Sequence, residues 1–549
     1  MTLSLIECKR YISNKGMVIK MLLLVALSAI IAPFVFLVLF RMPAIKGMSI
    51  SAIIVILLAL SVWGMEGKIV LSSIFQGVHT AFTIVFILFG ALVLLNTLRN
   101  TGSVDRMNQG FQNISGDMRI QAVLVAFLFG SVIEGAAGFG TPAMVTAPLM
   151  LALGFRPLAA VVLALVADSS AVAFGAVGTP VLVGLGNIPG ADTAFFHEVA
   201  STVTTIDLFA GTFIPFILIV ILTLFFGKGR GIKDAFSVLP WTLLIGITYT
   251  GSALLYASLF GPEFVAILAA LTGLIVATWT AKKGWLMPKR EWKDALQENF
   301  TVSTKKMNMS LLSAWSPYLL VVGLLLLTRI VPWMKDFTTY AIDLTWHNIL
   351  GVEGITSDWG LLYSPGTILL VSAFLAILIQ RKSIADFVKA SKDSMPTLKS
   401  TGVTLIVTLA MVQVFTNSNI NVNDFMSMPD YIAQGLAQNF GGAWIFIAPF
   451  LGELGAFITG SATVSTLTFS PIQYSVAVET ATDVNTVLAA QLIGAGAGNM
   501  FCVHNVVAAG AVVGMVGKEG DIIRKTLGPA LLYGILAGIG GFILLHFLS

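Results

Sequence analysis

Long apolar runs, most of them close to the length of a membrane span and separated by short polar stretches, dominate the chain from residue 21 onward. Roughly 20 apolar residues in a helix cross the hydrocarbon core of a bilayer, so each run reads as a spanning helix. Regular runs fall at 21–40, 48–65, 72–98, 205–226, 235–260, 262–280, 311–331, 362–380, 401–416 and 526–548. Four others are longer and are interrupted by glycine, proline and polar residues: 120–155, 157–187, 441–478 and 485–517. The first of these carries SVIEGAAGFGTPAMVTAP over 131–148, with Glu134, Gly135, Gly138, Gly140 and Pro142 in otherwise apolar sequence. A carboxylate is costly in hydrocarbon, and glycine and proline weaken a helix. Such a segment is expected where broken backbone is buried in protein or lines a wet cavity.

The interrupted runs form two adjacent pairs, each flanked by regular helices. The pairs echo each other weakly: EGAAGFGTP (134–142) beside GELGAFITGS (452–461), and VADSSAVAFGAVGTP (166–180) beside GAGAGNMFCVHNVVA (494–508). Charge placement gives the echo a direction. The segments 228–233, 281–310, 381–400 and 518–525 are basic and are expected in the cytoplasm, whereas 188–204, 332–364 and 417–440 are acidic or neutral and are expected outside. The 99–119 loop, with Arg99, Arg106 and Arg119, then belongs inside. Helix 72–98 runs inward and 401–416 runs outward, so the two units have opposite topology.

Each interrupted pair must then cross an odd number of times, which one re-entrant hairpin plus one interrupted helix satisfies. The expected fold is an all-α polytopic membrane protein with twelve crossings, two re-entrant hairpins and both termini outside. Its parts are N-terminal helices (1–71), a first inverted repeat with broken helices (72–226), connecting helices with a cytoplasmic loop (227–400) and a second inverted repeat (401–549). The run 21–40 follows Lys9, Arg10, Lys15 and Lys20 without an evident cleavage site, and reads as an uncleaved helix, although that basic tail favours the cytoplasm. Inverted repeats with broken helices are the architecture of secondary transporters, whose sites lie where the breaks meet.

Composition agrees. Only 11% of the 549 residues are charged and 57% are hydrophobic, against about 25% charged in an ordinary soluble domain. The mean hydropathy is +0.92. The net charge of +4 is distributed among loops and gives no nucleic-acid-binding patch. Cys8 and Cys502 make no disulfide framework, and no phosphate-binding loop for ATP is present. No cofactor is expected.

Glu134, Asp168 and Glu453 are the acids deepest in the interrupted runs and are the candidates for holding a coupling ion, a proton or sodium; the bland alternative is a solvated position at a hairpin mouth. A carboxyl group away from water favours its protonated form, which suits a proton carrier. Candidates for substrate contact are Gly138, Phe139, Gly140, Thr141, Ser169, Ser170, Thr179, Ser461, Thr463, Ser465, His504 and Asn505. The hydroxyls serve equally as helix caps or interhelical hydrogen bonds, and His504 as a packing residue. His79, on a regular span, reads as packing. No arginine or lysine falls within the breaks, but helix N-termini attract anions without one.

The same motifs resemble the lactate permease family of bacterial monocarboxylate transporters. The matching text is GSVIEGAAGFGTP (130–142), VAFGAVGTP (172–180), LGAFITGSATVS (454–465) and GNMFCVHNVVAA (498–509), continuing through GKEGDIIRKTL (517–527), with shorter echoes in AWSPY (314–318) and SPGTILL (364–370). The resemblance implies a symporter in the bacterial cytoplasmic membrane, not an enzyme, taking up L-lactate, D-lactate or glycolate with protons. Three positions depart from the family pattern. Asp168 stands in a run where the family has an asparagine, Glu453 replaces an alanine, and Ala462 replaces an asparagine. These changes bear on substrate and coupling ion, and leave sodium coupling or another small organic anion as alternatives. A membrane-embedded hydrolase using Ser169 or Ser170 with His504 is the competing class, and neither serine sits in a nucleophile motif. A channel is a third, without a repeated ring motif to support it.

Overall fold

The computed structural model describes residues 21–40, 42–138, 140–186, 188–229, 231–288, 290–298, 300, 309–440 and 443–548. All regular structure in them is helical, apart from three isolated β-bridges. Among the described residues, nine helices are long and apolar enough to cross a membrane, and the pair Val484–Asn499 and Val503–Val512, bent by 40° at its break, gives a tenth. Five further apolar helices are shorter: Met21–Leu37, Thr141–Ala152, Pro157–Ala167, Pro365–Ile379 and Trp444–Thr459. The protein is an all-α, multi-pass membrane protein.

Several helix starts follow from local chemistry. Asp192 accepts from the Phe195 N–H at 2.8 Å and opens the helix beginning at Thr193. Asp483 accepts from the Thr486 N–H and hydroxyl, both at 2.7 Å, and opens Val484–Asn499. Each side-chain oxygen satisfies a backbone donor that a helix start leaves free. The run expected at 205–226 instead begins at Thr193 and continues to Phe226. The polar residues between, including His197 and Glu198, had read as an external loop.

Two long helices form the spine. Gly67–Thr101 has 35 residues and Ile384–Thr416 has 33, and they pack along each other more extensively than any other pair. At 1.5 Å per residue both exceed the roughly 30 Å hydrocarbon core. Gly77 permits the contact, since a Cβ there would enter the Ala410 backbone.

Loop contacts form two clusters. In one, Arg119 pairs with Asp117 at 2.6 Å and donates to the Asp234 carbonyl (2.6 Å) and Ser237 Oγ (2.7 Å). Trp292 donates its N–H to Asp117 and its indole N–H to Asp234, and Arg106 Nε donates to the Met309 carbonyl at 2.9 Å. In the other, Gln76 donates to the Thr356 carbonyl at 2.8 Å, His79 meets Ser357 Oγ at 2.9 Å, and Asn417 donates to Gln76 at 2.7 Å.

Candidate functional site

The interrupted runs break where the sequence marks them. The helix containing Glu134 ends at Gly138 (φ +62°), and Gly140 (φ +71°) precedes Thr141–Ala152. In the second run, Ala176, Val177 and Gly178 all have positive φ, at 46°, 57° and 76°. For alanine and valine this region is disfavoured, so the neighbouring structure holds the turn open at a cost. Trp444–Thr459 ends at Gly460 (φ +70°), and Ser461 then caps Ala462–Glu479 by accepting from the Val464 N–H at 3.3 Å. The fourth break separates Asn499 from Val503.

These breaks converge. One cavity of about 20 Å³ is lined from the first unit by Glu134, Gly138 and Gly175, and from the second by Gly460, Thr463 and Asn499. It has room for about one water. Asn505 projects its amide onto Gly140, where a Cβ would overlap it, and donates to the Asn499 carbonyl at 3.3 Å. The backbone of Ser169 lies against Gly496, whose missing side chain allows the approach.

Glu134 and Asp168 are neighbours in this core. Both residues are buried, at 2% and 5% exposure. Ionised carboxylates only accept, so a hydrogen bond between two such groups needs a proton on one of them. Glu134 Oε2 and Asp168 Oδ1 have no hydrogen-bond partner among the described residues. Gly175 is held against Glu134: a Cβ on it would overlap Glu134 Oε1. Thr141 Oγ1, Asn499 Oδ1 and Asn505 Oδ1 are likewise buried and unpartnered among the described residues.

Other sequence candidates have different surroundings. Glu453 is buried but faces Gly534 and does not line the cavity. Ser465 donates to the Gly452 carbonyl (2.8 Å) and accepts from Gln491 (3.3 Å), within a chain that continues through Gln473 to Trp444. That network braces the break between Trp444–Thr459 and Ala462–Glu479. Ser169 and Thr179 donate to the carbonyls of Val166 and Ala176. Ser461 and Thr463 line the cavity. His504 packs its ring on Gly460 and borders a second cavity of about 10 Å³ with Phe457 and Ile458. His79 bonds Ser357 and the Leu344 carbonyl, in keeping with a packing role. Phe139 lies outside the described residues.

Ser170 turns away from the cavity and donates to Asp207, a buried acid that the sequence reading passed over. Tyr533 donates to the other Asp207 oxygen at 2.5 Å. The Tyr249 hydroxyl lies beside Ser131 and Ser170. No group of three or more potential metal ligands occurs among the described residues.

Comparison with known proteins accords with these motifs. The model of the L-lactate permease family matches residues 23–548. The L-lactate permease of Bacillus subtilis is 30% identical over 572 aligned residues, covering 96% of this chain and 97% of its own. The L-lactate permease of Escherichia coli K12 is 28% identical, with 94% of each chain covered. The glycolate permease GlcA of the same organism is 27% identical, again over 94% of each. The matched region takes in all four breaks and the Glu134–Asp168 pair, and with them this multi-pass chain belongs to the L-lactate permease family of membrane transporters.

Proposed function

We propose that this protein is a secondary symporter of the bacterial cytoplasmic membrane that takes up a short monocarboxylate, such as L-lactate, D-lactate or glycolate, with protons. The observation that carries the reading is Glu134, a buried carboxyl group that lines a cavity shared by the two units and has a second buried carboxyl, Asp168, as its neighbour. Glu134 and Asp168 hold the coupling proton. The breaks at Gly138–Thr141 and Gly460–Thr463, with Asn499 and Asn505, offer backbone N–H groups, hydroxyls and amides to the substrate carboxylate. No lysine or arginine lines the cavity. With room for only about one water, the site is occluded, and admitting a three-carbon acid requires the breaks to move.

The same proposal includes the fold at finer grain: inverted repeats at 72–226 and 401–549, twelve crossings and two re-entrant hairpins. Elements that correspond under the inversion pack on one another. Gly67–Thr101 lies on Ile384–Thr416, and Thr193–Ala210 lies on Glu519–Ile543. Sodium coupling is the second reading, favoured by the unpartnered Asp168 Oδ1, Thr141 Oγ1 and Asn499 Oδ1, since oxygens of this kind ligate sodium at broken helices.

The test is uptake of labelled L-lactate, D-lactate and glycolate into proteoliposomes, with proton and sodium gradients imposed separately. Accumulation driven by an inward proton gradient is expected. Sodium-only drive favours the second reading, and no accumulation of any monocarboxylate under either gradient contradicts both.

A further inference from the structure

We propose that Asp207 is a second proton-binding site of this transporter, tied by Ser170 to the segment that carries Asp168. The proposal rests on the transport reading above and adds a residue that no motif marks. Asp207 sits on the helix that runs from Thr193 to Phe226 and is 6% exposed. Both its oxygens are engaged: Ser170 donates to Oδ2, and Tyr533 donates to Oδ1 at 2.5 Å. The carboxyl also lies against Gly211, where a Cβ would overlap it.

The groups that face Asp207 come from three neighbouring elements. Tyr533 comes from Glu519–Ile543, Tyr249 from Leu239–Phe260, and Ser170 from the segment that also carries Asp168. Val484–Asn499 packs on the same helix and contains no titratable side chain. On its own helix, His197 is several turns away and packs on Gly261. Glu453 meets the neighbouring helix at Gly534, adjacent to Tyr533 but pointing to another side. No cationic side chain is among these groups, so a charge on Asp207 is balanced by hydroxyl donors alone.

Charge arithmetic gives the site its use. Two carboxyls sharing one proton carry one negative charge, a bound monocarboxylate adds a second, and ionised Asp207 adds a third. Like charges drawn out of water repel strongly, and a second proton removes one of them. Ser170 provides the link, since it lies two residues after Asp168. While Asp207 is ionised, Ser170 and Tyr533 both donate to it. When a proton binds an Asp207 oxygen, that oxygen becomes a donor, and the hydroxyl facing it turns to accept. No covalent bond other than the O–H bond changes, and release of the proton reverses the sequence.

The competing account is a static clamp in which Asp207 ties three helices together. The number of protons carried per solute separates the two. It is read from the membrane potential at which net L-lactate flux reverses, in proteoliposomes of the full-length protein. Asp207→Asn is expected to lower the ratio by one proton per solute, and Asp207→Glu to retain the wild-type ratio. An unchanged ratio in an active Asp207→Asn protein overturns the proposal. If Asp207→Asn does not fold, Tyr533→Phe keeps the carboxyl and removes one donor. It is then expected to lower proton-driven uptake about tenfold more than it lowers L-lactate exchange, and equal losses overturn the proposal. A wild-type protein that accumulates no monocarboxylate contradicts the transport reading itself, an outcome distinct from either.

Discussion

Glu134 and Asp168 lie 34 positions apart in sequence, on two different interrupted runs, and meet as a buried pair. Each stands out by itself in the sequence, as a carboxylate within a long apolar run. Their proximity was not legible, since it depends on how two broken segments fold over each other. Asp207 shows the opposite failure. The stretch 188–204 is polar enough to read as a loop, which left Asp207 at the edge of a span. The helix begins at Thr193, however, making Asp207 its fifteenth residue and placing it in the core. A prediction at this scale concerns Gly175, which leaves just enough space for Glu134 Oε1. Gly175→Ala is expected to displace that carboxyl and lower proton-driven uptake by about tenfold or more, a loss of transition-state stabilisation of about 1.4 kcal/mol. Gly528→Ala, at a glycine with open space around it, is expected to leave uptake unchanged. Initial-rate measurements on both variants check this.

At the scale of elements, glycine and proline announced all four breaks, and the backbone shows why. Positive φ at Gly138, Gly140 and Gly460 is a conformation that side chains disfavour. Nothing local signals that Ala176 and Val177 adopt it as well, because neither residue type prefers it. Helix pairing across the units was invisible in the same way: Gly77 marks a close approach, but nothing local names Ala410 as its partner. Gly460 combines both demands, with left-handed backbone and the His504 ring packed against it. Gly460→Ala is therefore expected to cost about 2 kcal/mol or more, the sum of backbone strain and overpacking. A lowered thermal midpoint in detergent, without a matching loss in Gly528→Ala, is the expected result.

At the scale of the molecule, loop charge bears on orientation without requiring any knowledge of packing. The segments read as cytoplasmic are fastened to one another around Arg119, and those read as external meet around Gln76 and Asn417. Arg119 and Asp117 are both nearly buried. Arg119→Ala strands the Asp117 charge and is expected to destabilise the protein by about 3–5 kcal/mol, measured as loss of monodisperse protein on heating. Sidedness is checked with single cysteines at the exposed positions Glu353 and Lys392, in a chain whose Cys8 and Cys502 are serine. In intact cells an impermeant thiol reagent is expected to label position 353 and spare 392; labelling of both from outside contradicts the inverted arrangement.

The central claim is that a monocarboxylate and a proton cross together by way of Glu134. Its most direct test follows the proton. Proteoliposomes holding a pH-sensitive dye, with no initial pH gradient, receive external L-lactate. The account predicts internal acidification well above that of empty liposomes, and its loss in Glu134→Gln, whose amide cannot carry the proton. Acidification no faster than in empty liposomes, or an undiminished response in Glu134→Gln, would contradict it.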